Sequence, residues 1–308
     1  MRIPATILIA AGALCLEGFA APRPPRQPAT GPGGAAYPHA TARETKLGKD
    51  GTQCWIFEPQ KPQPEKAPLI IFFHGYSAME PEPYQAWIAH LVRRGNIVIY
   101  PRYQAELLTP PGDYHGNAAQ SVRDALGFLS GKGRVTPELD RVAVVGHSAG
   151  GIGAVTWAAR AMQEKLPRPK AAMAVHSGQG PENGIQLVPL DDYEKIPATT
   201  QLVLMASAED KFVGLASSRR IWAQTAQVQQ RAFITLAADR HGFPPLLPKH
   251  LAPLAADRLS TDALDWSGYW RVFDALCESA FSGKKINLTP AMGEWSDGTP
   301  VTPLTITR

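Results

Sequence analysis

Uninterrupted apolar runs limit the folds open to this chain more than any other feature. Leu69–Phe73 reads LIIFF, with no polar residue alternating with the apolar ones. Such a run is typical of a strand that is buried on both faces of a parallel sheet. A helical pattern follows in Tyr84–Arg94, where Trp87, Ile88 and Leu91 recur at helical spacing before Gly95 ends it.

This alternation continues for about 200 residues. Strands are predicted at Cys54–Glu58, Leu69–Phe73, Ile97–Tyr100, Arg141–Val145, Ala171–Val175, Leu202–Ala206 and Ala232–Leu236. Helices are predicted at Tyr84–Arg94, Asn117–Leu129, Gly150–Glu164, Leu215–Ala226 and Asp262–Phe281. The pattern predicts an α/β fold with a mostly parallel central sheet and helices on both faces. Right-handed crossovers then bring the carboxyl ends of the parallel strands to one edge, where ligand chemistry collects.

Composition excludes several classes of partner. The 308 residues carry a net charge of only +4, and no long run of Lys and Arg is present, so we expect no nucleic-acid partner. Away from the N-terminus no apolar stretch approaches the ~18 residues of a membrane span. The eight His residues show no metal-ligand spacing, and no glycine-rich nucleotide motif is present, so we expect neither metal nor cofactor.

The N-terminus has the pattern of a signal peptide. Arg2 precedes an apolar segment from Ile3 to Leu16, and small residues stand at Gly18 and Ala20. We therefore expect cleavage near Ala20 and export to the periplasm or the medium. Lipid anchoring at Cys15 is not favoured, because Leu14 stands where a lipobox needs a small residue.

The remaining chain is predicted to hold one domain. Residues 21–45 are rich in Pro and Gly, which predicts an extended and poorly ordered linker. The domain spans residues 46–308, and its last part, residues 283–308, is predicted to be a loosely packed tail. Only residues 178–200 could cover the site, so any lid is small.

Two cysteines are left once a signal peptide is removed. Cys54 and Cys277 make an even number in an exported chain, which is compatible with a disulfide. The alternative is a pair of buried, unpaired thiols. A disulfide requires Cα atoms about 4.4–6.8 Å apart.

The strongest chemical motif lies between a strand and a helix. Val142–Gly151 reads VAVVGHSAGG, in which Ser148 is the central residue of G-x-S-x-G. In this context the serine sits on a sharp turn with its hydroxyl exposed. Gly146 and Gly150 are expected there because a side chain would collide with neighbouring backbone. The N-terminus of the following helix suits a developing negative charge.

With these motifs the chain resembles the α/β-hydrolase superfamily of serine hydrolases, over about residues 50–282. The resemblance extends to His74-Gly75-Tyr76 after LIIFF, an HG turn that in this superfamily positions an oxyanion-hole donor. It implies that the backbone N–H groups of Tyr76 and Ala149 form the oxyanion hole.

The resemblance also implies a base and an acid, because a serine hydroxyl alone is a weak nucleophile. His241 follows the last core strand by a few residues and is the predicted base, with His250 as the alternative. Asp210 follows the strand Leu202–Ala206 at the family's spacing and is the predicted acid. Glu209 and Asp239 are the alternatives for the acid. The order Ser148, Asp210, His241 is that of α/β-hydrolases.

Within the superfamily, the single HG turn and the GHSAGG elbow resemble dienelactone-hydrolase-like, chlorophyllase-like and polyesterase-like members. Ala149 stands where polyesterases usually have Met, and a serine replaces the nucleophilic Cys of dienelactone hydrolases. Three residues at strand ends are predicted to line the pocket: Tyr103, His176 and Phe243. We expect a secreted serine carboxylesterase that acts on a small-molecule or polymeric ester. The alternatives are amide or peptide hydrolysis or acyl transfer on the same triad, and a non-catalytic binding protein on this fold.

Overall fold

A single mixed sheet organises the chain. The computed structural model describes residues 21–257 and 259–308, so the predicted signal peptide and Cys15 lie outside the described residues. The described residues form one sheet of nine strands in the order β1-β2-β4-β3-β5-β6-β7-β8-β9. The strands are β1 (Thr41–Leu47), β2 (Cys54–Gln60), β3 (Lys66–Phe73), β4 (Ile97–Pro101), β5 (Thr136–His147), β6 (Ala171–Val175), β7 (Gln201–Ser207), β8 (Gln230–Leu236) and β9 (Thr305–Thr307).

The strands from β3 to β8 run parallel to one another, whereas β1, β2 and β9 pair antiparallel at the two sides of the sheet. The helices are α1 (Gln85–Arg93), α2 (Tyr114–Leu129), α3 (Ala149–Arg160), α4 (Ala216–Ala223) and α5 (Trp270–Phe281), and a π-helical turn at Leu264–Tyr269 leads into α5. The predicted α/β class, with a mostly parallel sheet and helices on both faces, is confirmed.

The apolar run in β3 explains why both faces of the sheet are covered. Ile70 and Phe72 point into a core formed with α1 and α5, whereas Leu69, Ile71 and Phe73 point into a second core with α2 and α3. Alternate residues of a strand face opposite sides of a sheet, so a run without polar residues requires a helical layer on each side.

The two cysteines do not form the disulfide that we considered. Both are free and buried, and they lie on opposite faces of the sheet: Cys54 opens β2 and packs with the α2 and α3 core, whereas Cys277 belongs to α5. The sheet therefore separates their sulfur atoms. Burial raises the pKa of Cys54 to about 12, which keeps this thiol protonated and unreactive.

The two Pro-rich ends are packed more closely than predicted. The strand β1 begins at Thr41, inside the predicted linker, and the Gly33 amide donates to Asp274 Oδ2 at 2.7 Å. In the tail, β9 adds a strand to the sheet, and four large side chains are buried: Leu288, Met292, Trp295 and Leu304. The tail is therefore part of the core that includes α5.

We predict that Trp295→Ala lowers the free energy of unfolding by about 3–5 kcal/mol, as for other large aromatic side chains removed from a core. Trp295 is 2% exposed, and its indole N–H donates to Asp239 Oδ2. Chemical denaturation measures the difference. The neighbouring Glu294→Ala, at an exposed position, serves as the control and should stay within ~0.5 kcal/mol of the unaltered chain. Equal stability of the two variants would show that the tail is not part of the core.

Candidate active site

The turn between β5 and α3 holds the serine of the G-x-S-x-G motif in a strained conformation. Ser148 has φ 57° and ψ −123°, a region that residues with a side chain rarely occupy. A Cβ atom on Gly146 would lie 2.0 Å from the carbonyl oxygen of Gly150. One on Gly150 would lie 2.2 Å from the carbonyl oxygen of His74. Backbone contact on both sides of the turn thus requires glycine at both positions.

His250 contacts the serine hydroxyl. Its Nε2 lies 3.0 Å from Ser148 Oγ, and its Nδ1 lies 2.8 Å from Asp210 Oδ2. Because the carboxylate can only accept, Nδ1 carries the proton, and Nε2 is free to accept from the hydroxyl. The three side chains form one hydrogen-bonded row that can move a proton from Ser148 to His250 while Asp210 balances the charge.

The prediction that His241 lies against Ser148 is therefore wrong. The backbones of Asp239 and Leu246 pair with each other in both directions, so the chain between them closes into a separate loop. His241 lies in this loop, and its Nε2 is 2.7 Å from Asp297 Oδ2 in the C-terminal tail. The chain reaches the serine only after the loop, at His250. Both histidines follow β8, and no local signal in the sequence distinguishes them.

Asp210 lies where the sequence places the acid. Its Oδ1 accepts from the amides of Phe212 and Val213 at 3.0 and 3.1 Å, which fixes the carboxylate relative to its own loop. Burial alone would raise the pKa of Asp210, but the imidazoles of His176 and His250, whose Nδ1 atoms lie 3.2 and 2.8 Å from Oδ2, outweigh burial and lower the pKa well below its usual range. The lowered pKa keeps the Asp210 carboxylate charged at neutral pH.

The two alternative acids serve other contacts. Glu209 pairs with Arg240 at 3.1 Å. Asp239 accepts hydrogen bonds from Trp295, Thr302 and the amide of His241, and so joins the tail to the loop after β8. Neither carboxylate is hydrogen-bonded to His250.

His176, predicted to line the pocket, is fully buried behind the acid instead. Its Nδ1 lies 3.2 Å from Asp210 Oδ2, and its Nε2 lies 3.0 Å from the hydroxyl of Tyr269 in the π-helical turn. Burial lowers the pKa of His176 and keeps the ring neutral, although the charge of Asp210 opposes this effect. One carboxylate oxygen thus faces two imidazoles, His176 from within the core and His250 from the site.

A second row of hydrogen bonds holds the backbone of His250 in place. His147 Nε2 lies 2.8 Å from the backbone carbonyl oxygen of His250, so this nitrogen must donate. Its Nδ1 then accepts from the hydroxyl of Tyr84 at 2.8 Å, and that hydroxyl accepts from the amide of Gly75 at 2.9 Å. Burial lowers the pKa of His147 well below its usual value, which favours this neutral form. The role of Tyr84 has no signal in the sequence.

The HG turn lies against the serine. A Cβ on Gly75 would be 3.4 Å from Ser148 Cβ. His74 is buried, stacks on Tyr103 with ring centroids 4.0 Å apart, and has a pKa lowered by burial to about 4. Among the described residues, neither the Tyr76 nor the Ala149 amide donates a hydrogen bond. The serine elbow and the HG turn packed against it therefore each carry one backbone N–H that no described residue accepts from.

Comparison with known proteins agrees with this geometry. The family model of chlorophyllase matches residues 44–191, just under half of the chain, and these residues include both the HG turn and the serine elbow. The chain is an α/β-hydrolase. The match further indicates a hydrolase of ester bonds. No curated protein is significantly similar to the chain.

Of the two other residues that we predicted to line the pocket of this hydrolase, one lines a cavity and the other lies on the surface. Tyr103 lines a cavity beside the serine elbow. Phe243 is 71% exposed, and its amide donates to Pro22, so it lies on the surface near the N-terminal segment. No metal-binding cluster of His, Cys, Asp or Glu occurs in residues 21–257 and 259–308. Nor does that part of the hydrolase contain a helix long and apolar enough to cross a membrane.

We predict that Gly150→Ala prevents the native turn from forming, because its Cβ would overlap the His74 carbonyl oxygen. The yield of soluble protein or the midpoint of thermal unfolding should fall strongly. Gly127→Ala is the matched control, since Gly127 lies in α2 with no atom within 4 Å of an added Cβ. That variant should be as stable as the unaltered hydrolase or more stable by up to ~1 kcal/mol. Similar behaviour of the two variants would contradict the close approach at Gly150.

Proposed function

We propose that this hydrolase is a serine carboxylesterase in which Ser148 is the nucleophile, His250 the base and Asp210 the acid. The observation that carries the proposal is the row of two hydrogen bonds from Ser148 Oγ through His250 to Asp210. A structural serine on a turn would not need a charged, buried carboxylate aligned behind its imidazole partner.

In the first step, Ser148 Oγ attacks the ester carbonyl carbon while His250 Nε2 takes the hydroxyl proton. The carbonyl oxygen becomes negative and is held by the amides of Tyr76 and Ala149. The bond from the carbonyl carbon to the alkoxy oxygen then breaks, and His250 returns its proton to the leaving alcohol. Water attacks the acyl-enzyme with His250 again as base, which releases the carboxylic acid and restores Ser148.

The second row of hydrogen bonds supports this mechanism. Through His147 and Tyr84, the backbone carbonyl of His250 is linked to the amide of Gly75, the residue before the Tyr76 donor. The position of the base is thereby coupled to that of the oxyanion turn. Such preorganisation reduces the rearrangement needed as charge develops.

The two histidines after β8 allow a matched test of the base. We expect Ser148→Ala and His250→Ala each to lower kcat for p-nitrophenyl butyrate by at least ~10³-fold, with little further loss in the double variant, because the residues act as a unit. Asp210→Asn should lose somewhat less. His241→Ala, the control, should stay within about twofold, since its side chain pairs with Asp297. A large loss in His241→Ala with activity kept in His250→Ala would contradict the assignment.

A substrate panel and a phosphonate probe test whether the hydrolase cleaves esters or amides. A panel of p-nitrophenyl esters and aminoacyl anilides should show turnover of the esters and little of the anilides. A phosphonate probe should label the unaltered hydrolase and not Ser148→Ala. Anilide turnover above ester turnover would favour an amidase, and absence of both turnover and labelling would favour a non-catalytic protein.

A further variant tests the oxyanion donors. The Tyr76 hydroxyl donates to the carbonyl of Leu107 at 2.6 Å, away from its own backbone amide. We therefore expect Tyr76→Phe to lower kcat by less than tenfold, because the amide donor is kept. Loss of a true oxyanion donor costs ~10²–10³ in turnover. A loss of that size would assign the hydroxyl a role in catalysis.

A further inference from the structure

A small apolar cavity begins beside the serine elbow. It has a volume of about 100 Å³, and its walls come from the end of β3, the loop after β4, the start of α2, one face of α3 from Ala149 to Arg160 and residues 188–191. Its lining includes Ala149 and Phe73, the neighbours of Ser148 and His74 in the sequence. The cavity thus touches both turns that carry the proposed oxyanion donors.

The order of the strands separates this cavity from the base. Ser148 follows β5, and β3 and β4 lie on one side of β5, whereas β6, β7 and β8 lie on the other. Asp210 and His250 follow β7 and β8. No residue after Asp191 lines the cavity within the described parts of the hydrolase. Most of the lining, from the end of β3 to the start of α2, therefore lies on the side of the serine away from His250, whereas residues 188–191 follow β6.

This separation determines which half of an ester the cavity can hold. His250 must return its proton to the leaving oxygen, so the alcohol half lies on the side of His250. The acyl half then points the other way, towards Ala149. We propose that the cavity binds the acyl chain of the substrate and that its size selects short aliphatic acyl groups; this inference rests on the proposed esterase function.

The size of the cavity sets the chain length. An apolar cavity of ~150 Å³ is known to hold the six carbon atoms of benzene. In proportion, about 100 Å³ holds roughly four carbon atoms, the length of a butyryl group. The inner lining is apolar, with Phe73, Tyr103 and Ile152, which suits an aliphatic chain.

A partly exposed charged pair lies at the end of the cavity formed by Arg160, the last residue of α3. Arg160 Nε donates to Asp191 Oδ2, and both residues line the cavity. A chain longer than the cavity would have to approach or displace this pair and remove water from its charges. Burial of charged groups against apolar atoms is unfavourable, so the pair acts as a limit on length.

Two exposed glycines provide a matched pair of variants for the test. Gly112 lines the cavity, whereas Gly116, four residues later, does not. An added Cβ would meet no atom within 4 Å at either position, so both accept leucine without a clash at Cβ. Gly112→Leu should fill the cavity, and Gly116→Leu adds the same side chain outside it. Val188→Ala removes part of a cavity wall and should enlarge it.

The readout is kcat/KM for p-nitrophenyl acetate, butyrate, hexanoate and octanoate. In the unaltered hydrolase we expect a rise of roughly fourfold for each methylene from acetate to butyrate, and no further rise beyond it. Gly112→Leu should lower the ratio of butyrate to acetate by roughly tenfold, and Gly116→Leu should leave that ratio unchanged. Val188→Ala should move the preferred length towards hexanoate.

The outcomes distinguish this inference from the proposed function. If Ser148→Ala abolishes ester hydrolysis but the length profile is the same in the unaltered hydrolase, Gly112→Leu and Val188→Ala, the acyl cavity is wrong and the esterase function stands. A preference for octanoate in the unaltered hydrolase would also overturn the cavity. If the unaltered hydrolase cleaves no ester, both proposals fail.

Discussion

The strained turn at Ser148 is the constraint on which the rest of the site depends. A backbone conformation of this kind costs about 1–3 kcal/mol and persists only where the surrounding structure enforces it. Here β5, α3 and the HG turn approach so closely that Gly146 and Gly150 have no room for a side chain. The same close approach places the HG turn, which ends next to Tyr76, against Ser148. In the proposed mechanism, this turn holds both the nucleophilic hydroxyl of Ser148 and the backbone amide of Ala149, one of the two oxyanion donors.

Three of the buried polar side chains around the site each have a hydrogen-bond partner there. His147, His176 and Tyr84 lie within the protein, where an unpaired polar group is costly, so each is joined to another polar group of the site. These contacts hold the backbone of His250 and the carboxylate of Asp210, which belong to different loops. A histidine from a long loop can thus occupy a defined position, because its carbonyl and its ring are each held by separate partners.

The two sides of the serine are chemically different for a topological reason. On one side of β5, β7 and β8 are followed by Asp210 and His250, the proposed acid and base. On the other side, β3 and β4 are followed by the HG turn and by most of the lining of the apolar cavity. An ester placed across this boundary has its alcohol half beside the proton donor and its acyl half beside apolar side chains. The proposed reaction and the proposed selectivity for short chains are therefore consequences of one strand order.

The sequence by itself determined the fold class, the elbow with Ser148, the HG turn and the position of Asp210. These features depend on local patterns: apolar runs, helical spacing, and glycines that neighbouring residues in the chain require. The choice of His250 over His241, the burial of His176, the separation of Cys54 from Cys277 and the packing of the C-terminal tail were decided by the tertiary structure. Each of them depends on how a long loop or terminus folds back, through contacts between residues far apart in the chain, such as Asp239 with Thr302. Local periodicity carries no information about such contacts, because many paths of a loop are compatible with the same spacing.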